Sequence, residues 1–147
     1  MKFLTSFVSC CALLAFSVPV FADSFGTSAE AKALLEKAVV AIKANKAEAL
    51  ANFTKGDGGF KDRDLYPFCG GPDGNFTAHP SLVGKSLKDL KDKAGKALGQ
   101  EIYATAKEGV IGEVIYMWPR PGTTEPVQKV SYVTKVSDQV CAVGYYK

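Results

Sequence analysis

YMWPRPGTTEPVQKVSYV, residues 116–133, decides the fold of this 147-residue chain. Tyr116-Met117-Trp118 ends a strand that begins at Ile111. Pro119-Arg120-Pro121-Gly122 breaks that strand, because proline brings no N–H to a sheet ladder and glycine accepts the turn that follows. Val127 to Val136 returns as a second strand, and after the tight turn Ser137-Asp138-Gln139 a third runs from Val140 to Tyr146. Alternation along the second strand sets Val130, Tyr132 and Val136 on one face and Lys129, Ser131, Val133 and Lys135 on the other. The hairpin gathers the rings of Tyr116, Trp118 and Tyr132 around one buriable cation, Lys129, and that set points to recognition of a small anionic molecule.

Upstream, Thr27 or Ser28 caps a helix predicted over Ala29 to Phe53, with Ala31, Leu34, Leu35, Ala38, Ile42, Leu50 and Phe53 on one face and a bend at positions 44–46. Gly56-Asp57-Gly58-Gly59 ends it. This is not a phosphate loop, since Phe60-Lys61-Asp62 follows instead of Gly-Lys-Ser/Thr. Leu65 to Cys69 and Asn75 to His79 form a hairpin about the turn Gly70-Gly71-Pro72-Asp73-Gly74. An irregular connector, Ser81 to Leu87, and a helical turn at Lys88 to Lys91 lead to a helix predicted over Lys96 to Glu108, which Gly109 stops. The layout is α+β: a five-stranded, mainly antiparallel sheet with helices before and within it.

Residues 1–22 account for much of the 47% hydrophobic content. Met1-Lys2 is a short positive start, Phe3 to Phe21 carries no charge, and Val20-Phe21-Ala22 suits a signal peptidase, so export with cleavage after Ala22 is expected. Retention of the same run as a membrane anchor is the competing reading, because about 20 apolar residues span a bilayer. A lipid attached at Cys10 or Cys11 fits less well, since both lie inside the apolar run. The expected mature chain, residues 23–147, has room for one compact core and no comfortable second domain. It keeps 17 basic residues, Lys2 being the one removed from 18, against 15 acidic ones. That balance, with no basic stripe interleaved by aromatics, argues against nucleic acid. Lys85, Lys88, Lys91, Lys93 and Lys96, offset by Asp89 and Asp92, read as a solvated face.

Cys69 and Cys141 are the cysteines left after cleavage, an even pair suited to an oxidising compartment. A disulfide between them would close a loop of about 70 residues, worth roughly 4 kcal/mol in the chain-entropy picture. Two buried free thiols are the alternative. His79 is the chain's single histidine and no CxxC spacing occurs, so neither a metal site nor any cofactor is expected.

The ordered set Asp57-Gly58-Gly59-Phe60, Asp64-Leu65-Tyr66, Pro72-Asp73-Gly74, Ala78-His79-Pro80, Leu82-Val83-Gly84-Lys85, Leu90-Lys91-Asp92, Trp118-Pro119, Lys129-Val130-Ser131-Tyr132-Val133 and Val143-Gly144-Tyr145-Tyr146 resembles the single Cache domain of the second type. The likeness runs from about Ser28 to Tyr146. It implies a PAS-like fold: a five-stranded antiparallel sheet, a long N-terminal helix on one face, and short helices enclosing a ligand pocket on the other. It also implies an extracytoplasmic sensory role toward small metabolites, often short carboxylates, serving a membrane receptor or kinase. Where such domains carry a C-terminal helix back to the membrane and a signalling module, this sequence runs from its last strand to Lys147. Periplasmic or secreted ligand binding, with the ligand presented to a membrane receptor, is therefore the expected role.

The resemblance makes Lys129 a point charge for a carboxylate, with Ser131 as a nearby hydroxyl donor; a solvated strand lysine is the bland alternative. Tyr116 and Trp118, two apart on one strand, form an apolar wall with polar handles, or simply core. Tyr103 and Tyr132 are lesser phenolic candidates. His79, held extended by Pro80, either faces the pocket mouth or closes its strand structurally. An enzyme is not expected, because a lone histidine lacks a nucleophile-elbow partner. A closed-pocket domain that works by docking on a protein is the alternative function, and a small exported enzyme the least favoured one.

Overall fold

The computed structural model describes residues 24–147; the expected signal sequence and its cleavage point lie outside the described residues. Thr27 caps α1 (Ser28–Ala44) with a reciprocal box: its hydroxyl accepts the Glu30 N–H while the Glu30 carboxylate accepts the Thr27 N–H. The expected bend is a full break. Asn45 leaves the helical region, ends α1, and caps α2 (Lys46–Lys55) by accepting the Glu48 N–H. Gly56 then stops α2 at φ 77°, a left-handed conformation that costs glycine nothing.

Five antiparallel strands follow in the order β2-β1-β5-β4-β3. They are β1 (Pro67–Gly70), β2 (Phe76–Ala78), β3 (Gly112–Pro119), β4 (Pro126–Val136) and β5 (Gln139–Tyr146), with α3 (Leu98–Thr105) between β2 and β3. The sheet separates two cores. On one face, Leu35, Ala38, Phe53, Phe60 and Leu65 pack with Cys69, Cys141 and Val143 beneath α1 and α2. On the other, Phe68, Phe76, Val114, Tyr116 and Val133 meet Leu98 and Ile102 of α3 and Leu87 of the connector. Cys69 and Cys141 stand opposite each other in the β1–β5 register and are joined by a disulfide, both fully buried.

Two expectations need correction. The helix predicted over Lys96 to Glu108 is three residues shorter at its end, because Lys107 is drawn into tertiary contact before Gly109 is reached. The Lys107 carbonyl accepts from the Thr134 hydroxyl and from the Lys135 N–H, and Glu108 bridges to Lys135. The second correction concerns Asp92. The five connector lysines are exposed as expected, but Asp92 is buried, and its carboxylate accepts the N–H groups of Ala94, Lys96 and Met117 at 2.8–2.9 Å. Lys93 N–H also donates to the Met117 carbonyl, and Lys96 Nζ to that of Ile115. The connector thereby covers outward-facing backbone of β3, the sheet's edge.

Burial alone would raise the Asp92 pKa; the three N–H donors outweigh it and hold the carboxyl below its usual range. Its contribution is therefore present above the ordinary carboxylate pKa and lost as pH falls through the lowered folded value. Asp92→Ala is expected to cost about 2 kcal/mol in chemical denaturation at pH 7, with the deficit shrinking in acid. A loss that stays constant down to pH 3 would contradict the ionised staple.

Candidate functional site

Lys129 is the most deeply buried charge among the described residues, at 1% exposure. β4 turns it to the α3 side of the sheet, as alternation requires, and Gly144 of β5 makes room for it. A Cβ at Gly144 would stand 2.5 Å from both the Lys129 Cε and the Ser131 Oγ, so any side chain there would displace the lysine. The ammonium lies 4.7 Å from the centre of the Tyr66 ring and 4.6 Å from that of Tyr146, and donates weakly to the Tyr66 hydroxyl at 3.4 Å. None of the described ion pairs includes it.

Burial drives the Lys129 pKa down to about 7, with the Asp64 carboxylate pulling it up and the Arg120 guanidinium pushing it further down. Burial likewise lowers His79 to about 4, with the Lys129 charge adding to the effect. His79 Nδ1 accepts the Ser81 N–H, which leaves the proton of the neutral ring on Nε2. Tyr66 is pushed up to about 12 by burial and by Asp64. At neutral pH the site thus holds neutral hydroxyl and imidazole groups around a single, weakly held ammonium proton.

A small inner cavity of about 20 Å³, room for one water, is lined by Tyr66, Phe68, Phe76, His79, Leu82, Leu90, Leu98, Ile102, Tyr116 and Trp118. Tyr66, His79, Leu82 and Trp118 also line an outer cleft of about 300 Å³, whose rim adds Lys61, Arg63, Arg120 and the prolines of the β3–β4 loop. The two spaces share a wall made of these four residues.

The structure brings Tyr116, Trp118 and His79 together in the lining of the inner cavity. Lys129 lines neither space; it lies behind the lining as the cross-strand partner of Tyr116 and against the Tyr66 ring, and its burial excludes the solvated alternative. Ser131 lies beneath the lining, its hydroxyl 2.8 Å from that of Tyr116, a phenol whose pKa burial raises. Tyr103 is absent from the lining: its hydroxyl donates to the Gly71 carbonyl at 2.7 Å and braces the β1–β2 turn. Tyr132 faces α1, where its hydroxyl meets that of Ser28. Sequence reasoning missed Tyr66, Tyr146, Asp64 and Arg120. The available signal was Gly144, since a glycine inside a strand marks the close approach of another group, here Lys129 and Ser131 from the neighbouring strand.

No group of three or more His, Cys, Asp or Glu among the described residues is placed to hold a metal. No helix among them is long and apolar enough to cross a membrane.

Comparison with known proteins gives a consistent result. The family model described as the Cache domain matches residues 29–146. The methyl-accepting chemotaxis protein McpP of Pseudomonas putida is 41% identical over 56 residues, 38% of this chain but 10% of that receptor. A solved methyl-accepting chemotaxis protein from Vibrio parahaemolyticus superposes with a TM-score of 0.65 at 29% identity, covering 80% of this chain and 86% of that one. A periplasmic sensor domain of a chemotaxis protein gives 0.59 at 28%, covering 79% and 87%. A Cache chemosensory domain solved for its carboxylic acid recognition shares the fold, with a TM-score of 0.56 at 24% identity over 79% of this chain and 85% of that one.

Proposed function

The chain belongs to the Cache domain family, and from that premise we propose that it is a periplasmic or secreted sensor domain that binds a short organic carboxylate and presents the bound state to a membrane receptor. The observation that carries the proposal is Lys129: a cation at 1% exposure, boxed by two tyrosine rings and in no ion pair among the described residues. A buried charge is costly unless paired, so an ammonium held in this way is best satisfied by an anion that arrives from solution. The apolar cavity wall excludes water and strengthens that pairing, while the Tyr66 hydroxyl and His79 offer donors beside it. Sensory relatives and the uncharged, apolar run from Phe3 to Phe21 support an exported sensor.

Calorimetric titration with acetate, propionate and butyrate, against the matching amides, tests this. The acids are expected to bind and the amides not. The groups facing Lys129 are Asp64, Arg120, Tyr66, Tyr146 and His79; burial lowers His79 to about 4 and raises both tyrosines, so none of those three rings titrates near neutrality. Between about pH 5.5 and 7 the ammonium already exists and the acid is ionised, so affinity should be flat; above pH 7 binding must take up a proton, so affinity should fall up to about tenfold per pH unit. Equal binding of acids and amides would refute the proposal. The inner cavity, with room for one water, favours a second reading in which the pocket stays closed and the surface docks on a protein. No titration heat across the panel, together with a stable complex in pull-downs, would support that one.

A further inference from the structure

The lead into α1 is tied to the ligand site by charge. Gly26 N–H donates to Asp64 Oδ1 at 2.7 Å, and Asp64 Oδ2 accepts from Arg120 at 3.1 Å. The Arg120 guanidinium lies 3.9 Å from the centre of the Phe25 ring and 4.6 Å from that of Tyr146, the same ring that carries the Lys129 ammonium. Phe25, Arg120, Tyr146 and Lys129 therefore form one row of alternating ring and cation; Asp64 pairs with Arg120 and, without touching Lys129, pulls that lysine's pKa up. Residue 63 beside it holds a left-handed backbone, φ 54°, although it is arginine, and its guanidinium donates to the Phe25 carbonyl and to Glu30 of the α1 cap. Strain of this kind persists only where surroundings over-determine it.

We infer that Asp64 and Arg120 are a clasp through which occupancy of the Lys129 site sets the hold on the lead into α1, an inference that rests on the carboxylate reading above. Without a bound acid, Asp64 is held by Arg120 in direct contact while its charge is also felt by Lys129 across the Tyr146 ring that the two cations share. A bound acid supplies the second anion, so Asp64 is left to Arg120 and to the Gly26 N–H, and the clasp tightens. A static staple with the same contacts would be indifferent to the charge of Lys129, which separates the two accounts.

Hydrogen exchange over residues 24–30 reads the Gly26 N–H directly, in protein purified from expression of the whole chain. Lys129→Met, or Lys129→Leu if the first variant folds poorly, removes the competing cation as a ligand would neutralise it. Exchange in that variant without ligand is expected to slow about fivefold, the lower end of ordinary coupling between sites, and Arg120→Met should abolish the slowing. Propionate should produce the same protection in the unaltered protein and none in Arg120→Met. Exchange that responds to Arg120→Met but not to Lys129 substitution would overturn the clasp in favour of a static staple. Failure of propionate to shift the melting temperature would count against the binding reading alone, because the lysine variants test the clasp without any ligand.

Discussion

Lys129→Met abolishes the stabilisation that short carboxylates confer and raises the melting temperature of the ligand-free domain: both results are expected from one variant. An acid present at about 100 times its dissociation constant should stabilise the unaltered protein by roughly 2.7 kcal/mol. Removing the ammonium leaves the ligand's carboxylate facing apolar walls, a loss of about 2–5 kcal/mol for a desolvated charge pair. The same substitution spares the empty protein the cost of an unpaired buried charge, and apolar replacements of that kind stabilise by about 1–4 kcal/mol. The sign with pH follows from the depressed folded pKa of about 7. The unfolded lysine holds its proton to higher pH than the folded one, so the unaltered protein gains stability as pH rises above 7. The advantage of Lys129→Met should thus be fullest at pH 7 and below and should fade toward pH 10. A variant that still binds acids, or one that is less stable than the parent at pH 6, would remove Lys129 from the role assigned to it.

The disulfide is the second large effect. β2 and β1 join the sheet through β5, and Cys69–Cys141 is the covalent form of that junction, closing a separation of 72 residues. Replacing both cysteines by alanine is expected to lose roughly 4 kcal/mol, or about 10–20 °C in melting temperature for a domain of this size. Phe68, Phe76 and His79, which line the inner cavity, lie on this hairpin or at its end, so acid affinity should drop as well. The measurement is paired thermal melts and titrations of the parent and the double variant. A change under about 1 kcal/mol would mean that the β1–β5 ladder and the core beneath α1 hold the hairpin without the bond.

Local chemistry made much of this protein legible before any coordinates. Thr27 or Ser28 announces the start of α1, Gly56 the end of the helical part at α2, and the Pro-Arg-Pro-Gly loop the β3–β4 hairpin. Period-two alternation placed Lys129 and Ser131 on one face of β4, where the structure has them, because neighbouring side chains in a strand must point oppositely. The same logic put Tyr116 and Trp118 together on β3, and both line the inner cavity. What failed did so for tertiary reasons. The end of α3 was set by Thr134 and Lys135, about 30 residues downstream, and not by Gly109. Asp92 looked like one surface charge among lysines because its three N–H donors include Met117, which only folding brings near.

The sequence by itself determined the order of elements, the α+β class, the two faces of the sheet and the family resemblance, since all of these depend on residues close along the chain. The tertiary structure alone decided that Lys129 is buried and in no ion pair among the described residues, that Tyr66 and Tyr146 box it, that Tyr103 braces a turn instead of lining the cavity, and that Asp64 joins Gly26 to Arg120. These facts rest on contacts between residues up to 80 positions apart, such as Tyr66 with Tyr146 about one lysine, and the charge state of a buried group is set by whatever surrounds it in space.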